Sequence, residues 1–159
     1  MNFTSFSTEK EDRYFEDYVA GSVYEFPETE SVDEADIIAF ARKFDPQYFH
    51  TDPEAAARSP YKGIIASGAH TIAIGFKLYV SLFLPGKASF GSPGLDELRW
   101  LKPLRPGDAV RVRITILEAS PSQSKNDRGT VQSLVEALNQ KGETIMSFRC
   151  RNIIARRNP

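Results

Sequence analysis

Apolar positions change period along this chain, and the changes separate a helical stretch from a β-rich remainder. Val23, Tyr24 and Phe26 favour extended backbone, so residues 21–26 read as a first strand. Ser31, followed by Glu34, predicts a capping box and a helix start. Ile37, Phe40, Ala41 and Phe44 then recur at helical spacing on one face. Acidic Asp33, Glu34 and Asp36 precede basic Arg42 and Lys43, the order the helix dipole favours. Pro46 must end that helix, because the residue before a proline is pushed out of the α region. A short helix is expected to follow from Asp52, with aspartate as N-cap and Pro53 at its first position.

Residues 64–84 are the longest apolar run and carry only His70 and Lys77 as titratable groups. That length approaches the roughly 20 residues of a bilayer span. Ser67, Gly68, His70, Thr71, Gly75, Lys77 and Ser81 interrupt the run, and no aromatic belt with a basic flank follows. A helix apolar nearly all round also suits the buried centre of a globular domain, and a buried helix is the expectation. Beyond it the period becomes two. Residues 95–104 read as a strand ending at the turn signal Arg105-Pro106-Gly107-Asp108. Val110, Val112, Ile114 and Ile116 alternate with Arg111 and Arg113. Residues 130–139 and 143–155 form a hairpin about Gln140-Lys141-Gly142, with Met146, Phe148 and Cys150 on its packed face. Residues 120–129 are the expected flexible loop. The order implies an α+β domain, one apolar helix clasped by a curved antiparallel sheet. One sheet face covers such a helix incompletely, so a second copy is expected to help enclose it as a twofold dimer.

Composition narrows the picture a little. The 159 residues suit a single domain, with a loose lead-in over 1–13, the domain over 14–155 and a solvated tail over 156–159. Twenty basic residues against 21 acidic ones give no general pull toward nucleic acid or an anionic membrane. Cys150 stands alone, which excludes an intrachain disulfide and fits a reducing, cytoplasmic setting. The first 13 residues have no apolar run and do not read as a signal peptide. One cysteine and two histidines make no metal-ligand cluster, and no phosphate-binding glycine loop or dinucleotide fingerprint is present.

The chemistry concentrates at Asp45 and His50, five residues apart across the proline break. Facing one point, a carboxylate and an imidazole can hold a water molecule and move its protons. Gly68 opens the apolar helix, where an exposed backbone N–H can stabilise a developing oxyanion. Beside this stands the plainer reading, in which Asp45 caps a helix and His50 bonds to backbone. Ser67 reads as a helix cap, His70 as a satisfied core or interface histidine, and Asp52 as an N-cap. Tyr48, Phe49, Phe76 and Tyr79 could line an apolar tunnel, although aromatic residues at such spacings are ordinarily core.

The run Asp45-Pro46-Gln47-Tyr48-Phe49-His50 resembles the hydratase motif of the MaoC-like dehydratases, which include (R)-specific enoyl-CoA hydratases. Gln47 and Tyr48 depart from the Asn and Pro of many members. Gly63-Ile64-Ile65-Ala66-Ser67-Gly68, Gly94-Leu95-Asp96-Glu97-Leu98-Arg99-Trp100 and the turn at 105–108 are similar to that family's next segments. The resemblance covers about residues 14–154 and implies a hotdog fold. It further implies hydration of a 2-enoyl-CoA thioester to an (R)-3-hydroxyacyl-CoA, with Asp45 and His50 holding the water and Gly68 facing the thioester carbonyl. Gln47, Tyr48, Phe49, Ser67 and Arg99 are then expected at the substrate. Arg58, Lys62, Lys102 and Arg105 join Arg99 as candidates for coenzyme A phosphates, with solvated charge as the default for each. No metal or redox cofactor is implied; coenzyme A enters as part of the substrate. A homodimer follows from the likeness, with a trimer of dimers as a larger form. An acyl-CoA thioesterase and a non-catalytic acyl-CoA-binding subunit are the alternatives. Thioesterases of this fold usually place a carboxylate on the central helix, and this chain has no Asp or Glu between Glu54 and Asp96.

Overall fold

The computed structural model describes residues 2–159. Its strands are β1 (Val23–Glu25), β2 (Glu30–Ser31), β3 (Leu95–Trp100), β4 (Ala109–Pro121), β5 (Arg128–Leu138) and β6 (Thr144–Ala155). All pair antiparallel in the order β1-β4-β5-β6-β3, with β2 pairing to β4 beside β1. Four α-helices precede β3: α1 (Glu34–Phe44), α2 (Tyr48–Thr51), α3 (Pro53–Ala57) and α4 (Gly68–Leu78). A π-helical turn, Tyr79–Phe83, continues α4.

One face of the sheet makes the core. Val110, Val112, Ile114, Ile116, Val131, Val135, Met146, Phe148 and Ile154 are all buried against the helix, as the period-two pattern requires. The helix meets them with Thr71, Gly75, Leu78 and Tyr79. Gly75 permits a close approach, since a Cβ there would lie 2.8 Å from the Met146 methyl. The Tyr79 hydroxyl donates to Asn152 Oδ1 at 2.6 Å, so the buried polar groups at this contact satisfy each other. Phe76 stacks on Phe148 at 5.5 Å. Tyr79 is therefore a core residue, and Phe76 packs half-buried against the core.

Several expected elements shift. Ser31 pairs with Ala109 in β2, so it is not free to cap α1; Asp33 does so, accepting from the Asp36 N–H at 2.8 Å. The strand expected over 95–104 stops at Trp100, and the loop expected over 120–129 shrinks because β4 and β5 run on to Pro121 and from Arg128. The lead-in is packed instead of loose. Phe6 stacks on Tyr24 at 4.3 Å, and Arg13 donates to the carbonyl oxygens of Leu82 at 2.8 Å and Phe83 at 3.4 Å. A helix end leaves those carbonyls orphaned and carries partial negative charge, so a guanidinium fits there. The tail is tied down as well: Arg157 pairs with Asp17 at 2.6 Å and its N–H donates to Glu16 at 3.0 Å.

Candidate active site

Asp45 and His50 reach one point because Pro46 breaks the helix between them. α1 ends at Phe44, and Asp45 leaves the helical conformation with φ −155° and ψ 72°. The chain then turns into α2, which carries His50 inward. The extended segment before α4 clips onto it: the Ile65 N–H donates to the Phe49 carbonyl at 3.2 Å, and His50 Nδ1 lies 2.6 Å from the Ile65 carbonyl oxygen. A carbonyl can only accept, so Nδ1 carries a proton; in the neutral form of the ring the lone pair is then at Nε2. Phe49 packs edge-on to the same ring at 4.5 Å.

His50 Nε2 stands 3.3 Å from Asp45 Oδ2, with the imidazole nearly closed off and the carboxylate one quarter exposed (side-chain exposures 5% and 25%). Asp45 is held by two further donors. Ser67 Oγ donates to Oδ2 at 2.6 Å, and the Gln47 amide donates to Oδ1 at 2.8 Å. The Ser67 hydrogen bond is the largest influence and holds the carboxyl below the usual carboxylate range; burial opposes it, while Gln47 and His50 assist. Asp45 is thus an anion at neutral pH.

The third component is the start of α4. Buried Ser67 is its N-cap, its Oγ accepting from the Ala69 N–H at 3.2 Å while donating to Asp45. One hydroxyl thereby couples the helix start to the carboxylate. The Gly68 N–H makes no hydrogen bond among the described residues. It lies at the positive end of the helix dipole, where an anionic oxygen is stabilised. The Trp100 indole N–H donates to the Gly68 carbonyl at 3.1 Å, and its ring lies against Gly68 so closely that a Cβ there would collide with it. A cleft of about 500 Å³ opens over these groups. Asp45, Gln47, His50, Ser67 and Gly68 supply its polar side; Phe44, Phe49, Tyr61, Ile65, Ile72 and Trp100 supply most of its apolar side.

The sequence matches the family described as "MaoC like domain" over residues 17–139. The chain belongs to the MaoC-like family. It is 32% identical over 126 residues to the uncharacterized protein YdeM of Bacillus subtilis, covering 79% of this chain and 87% of that protein. Among solved structures, the MaoC-like dehydratase from Rhodospirillum rubrum superposes with a TM-score of 0.84 at 38% identity, over 92% of this chain and 99% of that one. The (R)-hydratase PhaJ1 from Pseudomonas aeruginosa gives 0.71 at 26% identity, over 89% and 84%. The fold is accordingly the hotdog, and hydratases and dehydratases are what this MaoC-like chain resembles.

Of the residues expected at a MaoC-like site, Asp45, Gln47, Phe49, His50, Ser67 and Gly68 line one cleft. Gln47 is there to hold Asp45, and Ser67 both caps α4 and holds Asp45. Tyr48 and Arg99 do not line it: Tyr48 is about half exposed on the outer side of α2, and Arg99 donates to the Leu98 carbonyl at 2.9 Å. Arg58 pairs with Glu54 at 3.1 Å and Lys102 with Glu143 at 2.6 Å, so neither is an uncommitted cation. His70, expected as a satisfied core or interface histidine, is not fully satisfied within the one chain. It stacks on Phe40 at 4.4 Å, but its Nδ1 is buried without a hydrogen-bond partner among the described residues. Burial holds its imidazole below the ordinary histidine range, with Asp36 opposing, which keeps it neutral. Tyr61, Ile72 and above all Trp100 were not expected to line the site; Trp100 was visible as part of a motif without a role. Among the described residues, no cluster of three His, Cys, Asp or Glu side chains could hold a metal ion. No helix among them is long and apolar enough to cross a membrane.

Proposed function

We propose that this protein catalyses the reversible addition of water to the double bond of a 2-enoyl-CoA thioester, giving an (R)-3-hydroxyacyl-CoA. The observation that carries the reading is the 3.3 Å meeting of His50 Nε2 and Asp45 Oδ2 beside the uncommitted Gly68 N–H. Two acceptors so close repel unless a proton lies between them or one water molecule donates to both. A water held that way directs its oxygen outward, toward C3 of a substrate whose thioester carbonyl lies at Gly68. Its oxygen bonds to C3 while one of its protons passes to His50 Nε2. The resulting imidazolium is stabilised by the Asp45 anion and by the Ile65 carbonyl at Nδ1. Negative charge gathers on the thioester oxygen as an enolate and is met by the Gly68 N–H and the helix dipole. Return of the proton from Nε2 to C2 restores neutral His50 and completes the addition; dehydration runs the same steps backward. Positioned acid–base catalysis contributes about 10²–10⁴-fold, and an oxyanion donor about 10²–10³-fold.

These parts suffice without a metal or redox cofactor. The absence of a carboxylate on α4 separates the reading from a thioesterase, since Asp45 reaches the site from the end of α1. A second copy is proposed to cover the outer side of α4 and its π-helical continuation, where Ala73 and Val80 remain exposed. A reducing, cytoplasmic setting accords with the single cysteine. The test is a panel of enoyl-CoA and 3-hydroxyacyl-CoA thioesters, followed by ultraviolet loss or gain of the conjugated double bond and by chiral analysis of the product. The expected product is the (R)-3-hydroxyacyl thioester; release of free thiol alone would make the protein a thioesterase, and binding with no turnover an acyl-CoA carrier.

A further inference from the structure

We propose that the Trp100 indole is a wall dividing the catalytic cleft from a second apolar cleft, and that it sets the acyl-chain length the site accepts. This rests on the hydration reading above and specifies its substrate class as short acyl chains. The wall is built by a backbone irregularity. Leu95 pairs with Cys150 and Trp100 with Met146, both inward-facing residues of β6. Leu95 and Trp100 are five residues apart, so in a regular strand they would point to opposite faces. A bulge between Asp96 and Arg99 inserts one residue and brings both to the helix side. Glu97 sits in that bulge at φ +51°, a conformation that costs a side-chain-bearing residue energy. Local strain is thereby accepted to aim one side chain, and that side chain is Trp100.

The indole then lands on backbone that can receive it. Gly68 has no Cβ to obstruct the ring, and its carbonyl accepts the indole N–H at 3.1 Å. Behind the ring lies a second cleft of about 200 Å³. It shares Tyr61, Ile65 and Trp100 with the catalytic cleft and continues between Leu101, Pro103 and Leu104, with Thr71 and Lys102 as its polar members. With the thioester carbonyl at Gly68 and C3 at the Asp45–His50 pair, the acyl carbons beyond C3 run along the apolar lining toward that shared wall. A short chain ends on the near side of the indole. A longer one needs the space behind it.

The test compares the full-length protein with Trp100→Ala and Trp100→Phe, using kcat/KM for crotonyl-CoA and for 2-octenoyl-CoA. Taking the ratio of the two substrates cancels any general loss caused by releasing the Gly68 carbonyl. The wild type is expected to favour crotonyl-CoA. Trp100→Ala should raise the octenoyl-to-crotonyl ratio by at least about tenfold, because newly buried methylenes then contribute to binding. Trp100→Phe, which keeps an aromatic ring, should raise it less. Circular dichroism confirms that each variant is folded. Calorimetric binding of saturated butyryl- and octanoyl-CoA to the same proteins separates the two claims. A binding ratio that shifts toward octanoyl in Trp100→Ala, with no hydration by the wild type, keeps the wall and removes the hydratase reading. Hydration with unshifted ratios in folded Trp100→Ala, or a wild type that already prefers octenoyl-CoA, overturns the wall.

Discussion

Ser67 has a double role, because one hydroxyl serves both the helix start and the Asp45 carboxylate. Its hydrogen bond is the chief reason Asp45 lies below the usual carboxylate range. A carboxyl with a depressed pKa stays charged above its ordinary value and loses that charge only as pH falls through the depressed one. Ser67→Ala removes the largest lowering influence and leaves burial, so Asp45 should titrate at higher pH. The Asp45 carboxyl, followed by carbon NMR, is therefore expected to titrate at higher pH in the variant, and stability to fall by about 0.5–2 kcal/mol from the lost cap. A carboxyl that titrates at the same pH in both proteins would mean Ser67 does not tune it. At Gly68 the constraint is steric. Gly68→Ala should push the indole away, and because Trp100 is the only tryptophan its fluorescence reports the event directly. A red-shifted emission with a fall in hydration of about 10²-fold is expected; an unchanged spectrum would show that the ring is not seated as described. Asp45, His50 and Gly68 could be named from sequence because a proline break and a glycine helix start are local signals. Tyr48 and Arg99 could not be placed, since their directions follow from a four-residue helix and a bulged strand.

Among the elements, the long alternating strands and the amphipathic α1 were readable from period alone, and their positions match to within a few residues. Capping is where local pattern misled: Ser31 has the right spacing to Glu34, yet strand pairing with Ala109 claims it and leaves Asp33 as the cap. The bulge in β3 was invisible, because Glu97 replaces the glycine that usually marks a positive φ. The packed lead-in escaped notice for a related reason. Arg13 is tied to Leu82 and Phe83 across nearly seventy residues of sequence, a partnership that only the fold creates. It closes the π-helical end of the central helix together with the Tyr18 hydroxyl, which donates to Phe83 at 2.8 Å. Arg13→Met should therefore cost about 1.5–3 kcal/mol in urea unfolding, as loss of hydrogen bonds from a charged group to half-buried carbonyls. A cost near zero would show that water or Tyr18 alone satisfies that helix end.

At the scale of the molecule, a hydrophobic helix lies on a single sheet face and keeps part of its outer surface exposed, with Trp100 and Leu101 each 55% exposed nearby. Sedimentation at micromolar concentration is expected to give a dimer or a multiple of it; a 17.8 kDa monomer would mean that one chain tolerates this surface in water. Helix-on-sheet architecture was legible because the long apolar helical run gives way decisively to period two. Which surface a partner covers was not, because exposure is a property of the folded whole. A kinetic double-mutant cycle tests the proposal that Asp45 and His50 act on one shared water beside Gly68. Hydration of crotonyl-CoA would be measured for the wild type, Asp45→Asn, His50→Ala and the double variant, each verified as folded. Each single change is expected to lower kcat by at least about 10²-fold, and the pair together scarcely further, because removing either partner already releases the water. Near wild-type rates in both single variants, or losses that simply multiply in the double variant, would contradict the shared-water account.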